Sequence, residues 1–210
     1  ILTEKEGWHF QQLKNSLEKK KHKIMSACLT DISLSIEKNK SNIFINNNPL
    51  IEIDNVIVRF IPGGTLEEIV FYLNILKILQ SMNVKVINTA SSIEYTVDKL
   101  YTSHLLNKHG IPTPMTYILR GRDKAKEFIN KNNSSNGIVY KPLFGSQGDN
   151  IRLIKNSLDF DKLNNISNIY YFQEYLENKI NHDYRVLIIN NGKKFKYFYM
   201  TRFGNTFVNN

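Results

Sequence analysis

Apolar residues recur along the chain in two rhythms, and the switch between them lays out its elements. Over residues 6–20, Trp8, Leu13 and Leu17 fall on one face at helical spacing, which predicts a helix. The short apolar runs 1–3 and 24–29 read as strands, the first as the end of a strand that begins before this chain does. The runs 43–45 and 50–53 flank Asn46-Asn47-Asn48-Pro49, a hairpin signal. Residues 56–60 (VIVRF) form a buried-strand run that ends in Pro62-Gly63-Gly64-Thr65. A long helix to about Met82 and a strand over 84–87 follow. Helix and strand alternate, which predicts an open, mostly parallel α/β sheet.

The rhythm then changes. Residues 97–108 are helical in pattern and stop at Gly110, and Pro112 and Pro114 enclose a stiff connector. The runs 115–119, 137–141, 151–154, 170–173, 184–189 and 195–202 read as strands. Helices at about 123–131 and 159–163 lie between them. This half is expected to be α+β with more antiparallel character. Asn-rich patches such as 131–136 read as loops, and no internal repeat is visible.

Composition narrows the class. A chain of 210 residues that is 41% hydrophobic and 22% charged can bury a sizeable core. No apolar run reaches the roughly 18 residues of a membrane span. The opening ILTEKEGWHF shows neither a basic n-region nor an apolar h-region. The single Cys28 excludes an internal disulfide and a multi-Cys metal site, so a cytoplasmic location is the expectation. The net charge of +9 would suit a phosphate backbone. Yet 22 of the 28 cations are Lys, accompanied by 27 Asn and 26 Ile, a mixture that looks like the codon drift of an AT-rich genome. The dense run Lys19–Lys23 ends a predicted helix, where it complements the helix dipole. Tyr197, Phe198 and Tyr199 near Lys193, Lys194 and Lys196 form the one aromatic–basic cluster that nucleic-acid binding would use. Alternation on an amphipathic strand explains them equally well.

The usual hydrolase and dehydrogenase fingerprints are missing: there is no Walker-type loop, GxGxxG, HExxH or GxSxG. Instead Lys141-Pro142-Leu143-Phe144-Gly145-Ser146-Gln147-Gly148 follows directly on a strand. A Lys delivered into a Gly-flanked polar loop can hold phosphates, because Gly lets backbone N–H groups approach oxygens closely. Such a loop taken alone is more often only a turn. Gln173-Glu174-Tyr175-Leu176-Glu177 ends another strand, either a functional edge or solvated carboxylates. Asp183-Tyr184-Arg185 opens a strand and Arg202 closes the next, either a site or a surface ion pair of little worth. Asp98-Lys99 precedes Gly110-Ile111-Pro112-Thr113-Pro114, and a lone helical Lys is ordinarily solvated.

Taken in order and at these separations, the motifs resemble the ATP-grasp ligases, in the RimK-like glutamate ligase branch. Gly7-Trp8-His9, Arg59 with Ile61-Pro62-Gly63-Gly64-Thr65, and Asn88-Thr89-Ala90 look most like tetrahydromethanopterin:α-L-glutamate ligase-like proteins. The resemblance implies an ATP-grasp fold with an N-terminal Rossmann-like pre-ATP-grasp domain and a truncated C-terminal part. It divides the chain into a pre-ATP-grasp α/β domain (1–90), a central subdomain with the phosphate loop (91–170) and the start of the C-terminal subdomain (171–210). It implies that Lys99 and Lys141 reach the ATP phosphates and that Gly145, Ser146, Gln147 and Gly148 close over them. Glu174 with the Tyr175 and Leu176 backbone would read the adenine amino group, and Asp183 would contact the nucleotide. Arg185 and Arg202 would be catalytic, meeting phosphate or the acyl-phosphate intermediate. Asn209 and Asn210 fall in a substrate or phosphate loop that often reads Arg-Ser-Asn in the family, with Val208 here in place of the arginine.

The implied reaction is ATP-dependent ligation of L-glutamate to an acceptor carboxylate through an acyl phosphate, releasing ADP and phosphate, of EC 6.3.2 type. The acceptor would be a pterin-type cofactor or a peptide terminus. No nucleic acid or membrane partner is expected, and a homo-oligomer is left open. Phosphoryl transfer is mostly positioning and charge neutralisation, so no nucleophilic side chain is needed. The family holds Mg²⁺, with Mn²⁺ as an alternative, on an Asp and a later Glu-x-Asn beyond the second arginine. No metal ligand is therefore expected within 1–210, and the chain reads as a fragment or the ordered part of a longer protein. A non-catalytic nucleotide-binding relative is the alternative, and a basic nucleic-acid-binding protein the third reading.

Overall fold

The computed structural model describes residues 1–132, 136–145, 148–165, 167–177, 182–190 and 192–203. The chain divides into two compact units, Ile1–Thr96 and Val97–Asn210.

The first unit opens with helix α1 (Trp8–Glu18), one turn shorter than its apolar pattern. It buries Phe10, while Trp8, on the apolar face of the pattern, is 70% exposed. The basic run sits past the helix end, with Lys19 as its C-cap and Lys21 in the left-handed region. Next come β1 (Ile32–Glu37), β2 (Lys40–Ile45) and β3 (Asn48–Pro49), an antiparallel sheet in the order β1-β2-β3. Its turns are two-residue loops, Lys38-Asn39 and Asn46-Asn47, in which every φ is positive. Such turns match the strand twist, and Asn tolerates them. The expected hairpin at Asn46 is present, but its second arm is β3 rather than 50–53. β1 was not anticipated at all.

The parallel part of this unit is smaller than its apolar runs imply. β4 (Asn55–Ile57) and β5 (Lys85–Ile87) pair in parallel. The runs 1–3 and 24–29 contribute only the bridges Leu2↔Ala27 and Leu2↔Val58. Helix α2 (Leu66–Ser81) begins at Thr65, whose side chain accepts from the Glu68 N–H, while the Glu68 carboxylate accepts from the Thr65 N–H. This capping box satisfies two otherwise orphaned donors. From α2, Tyr72, Ile75, Leu76 and Leu79 pack with Leu2, Leu29, Ile32, Ile43, Val56 and Val86 in one core. Helix α3 (Ala90–Val97) follows β5.

In the second unit α4 (Lys99–Lys108) is separated from α3 by Asp98, so the periodic run 97–108 does not start at Val97. The Asp98 carboxylate accepts the Tyr101 N–H and caps α4, because a short acid competes for backbone donors better than it continues a helix. Then come β6 (Thr116–Arg120), α5 (Arg122–Lys131), β7 (Ile138–Lys141), β8 (Arg152–Ile154), α6 (Ser157–Asp161) and β9 (Ile169–Glu174). The sheet order is β6-β9-β7-β8, antiparallel throughout. Central β9 is buried on both faces. Tyr170 and Phe172 join Ala125, Ile129, Phe160 and Leu163 in the core under α5 and α6. Tyr171 and Gln173 alternate to the other face and are buried there too. Finally β10 (His182–Asn190) and β11 (Phe195–Phe203) form a long antiparallel ribbon. Among the described residues no helix is long and apolar enough to cross a membrane.

Candidate functional site

Two lysines from separate elements meet in one place. Lys99 occupies the first position of α4 because Asp98 caps that helix. Lys141 ends β7, at the mouth of the Pro142–Gly145 turn. The Lys99 ammonium donates to the carbonyl oxygens of Leu143 at 3.2 Å and Gly145 at 3.0 Å. Gly145 has φ +144°, which L side chains rarely adopt, so glycine there lets the turn present its carbonyl to Lys99. The Lys141 ammonium donates to Gln173 Oε1 at 2.6 Å.

Both lysines are half-buried. Burial lowers the Lys141 ammonium below the ordinary lysine value of 10.5. Burial lowers Lys99 likewise, the charge of Lys141 adds to this, and Asp98 opposes it. Among the described residues, no carboxylate lies within ion-pair distance of either ammonium. Both partly desolvated cations thus have neutral oxygens as their acceptors, and a charged oxygen would be a stronger one.

The other expected residues fall into three places. Glu174 ends β9; its N–H donates to the Met115 carbonyl at 2.8 Å, and its carboxylate accepts the Met115 N–H at 3.4 Å. Tyr175 and Leu176 follow it, Leu176 being 59% exposed. On the β10–β11 ribbon, the register Asp183↔Arg202 and Arg185↔Met200 sets Asp183, Arg185 and Arg202 on one face. Arg202 binds Asp183 there, and Arg185 is exposed. Gly148 starts a turn, with φ +79°. Ser146, Gln147, Asn209 and Asn210 lie outside the described residues.

In the first unit Gly7, His9 and Arg59, singled out from separate motifs, line one hollow of about 250 Å³ together with Thr3 and Lys5. Gln173, Thr116, Tyr171 and Ser103 are hydrogen-bonded behind Lys141. Sequence reasoning named Gln173 only within its strand-end motif and missed the other three. The one available signal was a lone Gln in the aromatic strand IYYFQE. Among the described residues, no group of three or more His, Cys, Asp or Glu could hold a metal ion.

The fold is an ATP-grasp architecture. Residues 96–194 match the RimK-like ATP-grasp domain, and residues 1–93 match the RimK PreATP-grasp domain. The chain belongs to the RimK-like ATP-grasp family. It is 24% identical to the tetrahydromethanopterin:alpha-L-glutamate ligase of Methanosarcina acetivorans over all of this chain and 69% of that one. It is 34% identical to the alpha-aminoadipate–LysW ligase LysX of Sulfurisphaera tokodaii over 53% of this chain and 41% of that one. It thus spans between two-fifths and seven-tenths of these relatives' length. A RimK domain ATP-grasp protein from Sphaerobacter thermophilus superposes with a TM-score of 0.67 at 15% identity, covering 89% of this chain and 67% of that one.

Proposed function

We propose that the chain supplies the nucleotide-binding part of an ATP-dependent carboxylate–amine ligase of EC 6.3.2 type. Residues 1–90 act as the pre-ATP-grasp domain, 91–170 carry the phosphate loop, and 171–210 begin the C-terminal subdomain. The observation that carries this reading is the meeting of Lys99 and Lys141, half-buried and bonded to neutral oxygens, at the Pro142–Gly145 turn. Family membership points the same way.

ATP supplies the phosphoryl group that converts an acceptor carboxylate into a reactive acyl phosphate. Lys99 and Lys141 neutralise phosphate charge, and the loop from Gly145 to Gly148 covers it. Glu174, Tyr175 and Leu176 line the adenine end. Arg185 and Arg202 face the charge that develops on the transferred group, where fixed cations lower the barrier most. L-Glutamate is the amine in this reading, which rests on the relatives' names, and a pterin-type cofactor or a peptide terminus is the acceptor. Mg²⁺ or Mn²⁺ enters from the family alone.

Calorimetry tests it. Lys141→Ala is expected to weaken ATP binding by about tenfold or more, about 1.4 kcal/mol. Lys38→Ala, in the β1–β2 turn, is expected to leave it unchanged. Equal affinities for the two variants remove the phosphate role. AMP and pyrophosphate as products, in place of ADP and phosphate, remove the acyl-phosphate route.

A further inference from the structure

Strand β9 sends alternate side chains to opposite faces, and the face away from α5 and α6 carries a polar chain. Gln173 is 8% exposed, the buried polar side chain of the described residues. A buried amide must satisfy one acceptor and two donors. Lys141 can only donate, so the atom it meets at 2.6 Å is the amide oxygen, and this fixes which way the amide points. The amide nitrogen then donates to Thr116 Oγ1 at 3.0 Å and to the Tyr171 hydroxyl at 3.3 Å. Ser103 spends its single proton on the Lys99 carbonyl at 2.8 Å. In the 2.7 Å contact between the two hydroxyls, Ser103 therefore accepts and Tyr171 donates. Every direction is set, from the Lys141 ammonium through Gln173, Tyr171 and Ser103 to the backbone of Lys99.

The register explains why these groups meet. Lys141 pairs with Tyr171, and Gln173 pairs with Thr116 on one side and Val139 on the other, so all share a face. Lys99 stands at the start of α4, and Ser103 one turn later faces Tyr171.

We propose that Gln173, Tyr171 and Ser103 are positioning residues, a directed hydrogen-bond chain that holds Lys141 at a fixed spacing from Lys99 before nucleotide arrives. The idea rests on the reading of these lysines as phosphate contacts. A lysine side chain otherwise loses much rotamer freedom on meeting its ligand, and one already held loses less.

The experiment uses Gln173→Met, Tyr171→Phe, Ser103→Ala and Gln173→Glu with two readouts. Calorimetry compares ATP with AMP. A small acylating reagent, followed by peptide mass analysis, gives the labelling rate of Lys141 relative to Lys38 in nucleotide-free protein. Gln173→Met is expected to weaken ATP binding by about five- to tenfold while AMP changes less than about twofold. Tyr171→Phe and Ser103→Ala are expected to cost ATP binding about two- to threefold. Losing its acceptor disfavours the charged ammonium, so Lys141 in Gln173→Met is expected to label about threefold faster or more. Gln173→Glu restores an acceptor and is expected to return labelling to the slow rate. A merely structural role would weaken ATP and AMP together and leave the labelling ratio unchanged, and that result overturns the proposal. Should Gln173→Met fail to fold, Tyr171→Phe decides by the same ratios. Wild-type protein that binds no nucleotide overturns the ligase reading, and the labelling ratio then decides the positioning chain by itself.

Discussion

Arg202 grips Asp183 across the β10–β11 ladder with two parallel bonds, Nε to Oδ1 at 2.8 Å and Nη2 to Oδ2 at 2.6 Å. The two residues are direct cross-strand partners, so the register itself builds the fork. The Asp183 hydrogen bond raises the Arg202 pKa further above its already high value. Arg185 stands two residues on from Asp183 along the same face. The carboxylate thereby fixes one of the two arginines that the proposed chemistry needs.

Removing the carboxylate is expected to damage catalysis more than folding. The pair is partly exposed, and such pairs contribute little to stability. Asp183→Asn in the full protein is expected to lower turnover by about tenfold, because Arg202 loses its orientation. Arg202→Ala is expected to lower it by about 10²-fold, by analogy with losing one charge-stabilising donor. Both variants are expected to melt within about 3 °C of wild type. Steady-state ADP release and thermal melts measure the two effects, and a large stability loss with normal turnover would make the pair purely structural.

The two lysines give the site a pH signature. Burial lowers both ammonium groups below 10.5, so between their folded pKa values and 10.5 the unfolded chain binds more protons. In that window these groups make the ligand-free protein more stable as pH rises. Phosphate favours the charged forms, so nucleotide binding is expected to take up protons there and to weaken as pH climbs toward 10.5. Calorimetry in buffers of differing ionisation enthalpy counts those protons. In Lys141→Met the uptake is expected to fall, and an unchanged uptake would clear Lys141 of the role.

Local signals reached some of this and missed the rest for identifiable reasons. The strand before Lys141 and the glycines after it are adjacent in sequence, so the turn was legible. The capping role of Asp98 was not read, although a short acid just before Lys99 is a helix-start signal. β1 escaped because Ser33 and Ser35 alternate with Ile32, Leu34 and Ile36 in a run too polar to stand out, although the alternation itself is a strand pattern. Periodicity placed Trp8 on one face with Leu13 and Leu17, but only packing decides which stripe of a helix is covered, and Trp8 is exposed while Phe10 is buried. The role of Gln173 depends on register between strands far apart in sequence, which no local pattern carries.

Gly137 is expected to tolerate no side chain. Its φ is +78°, and a Cβ there would sit 2.9 Å from the carbonyl oxygen of Ile154 on the neighbouring strand. Backbone cannot move aside as a flexible side chain can. Gly137→Ala is expected to destabilise by about 1–3 kcal/mol. Urea unfolding measures this, and a neutral result would place the β7–β8 pairing elsewhere.

Phe172 ties the site to the core behind it. It is fully buried, with its ring 5.6 Å from Phe128, 6.1 Å from Tyr170, 6.2 Å from Tyr140 and 6.3 Å from Phe160. Its neighbours on β9, Tyr171 and Gln173, point the opposite way, toward Ser103 and Lys141. Truncating the ring leaves a cavity that close-packed aromatics fill poorly, so Phe172→Ala is expected to cost about 3–5 kcal/mol. Phe172→Leu keeps most of the volume and is expected to cost less, about 1–2 kcal/mol. Because β9 is pinned on both sides by its ladders with β6 and β7, the leucine variant is expected to keep the Lys141–Gln173 contact and therefore normal ATP affinity. Denaturant unfolding and calorimetry on the same preparations separate the two effects. Loss of ATP affinity in Phe172→Leu at near-native stability would mean that core packing, not strand register, sets the position of Lys141.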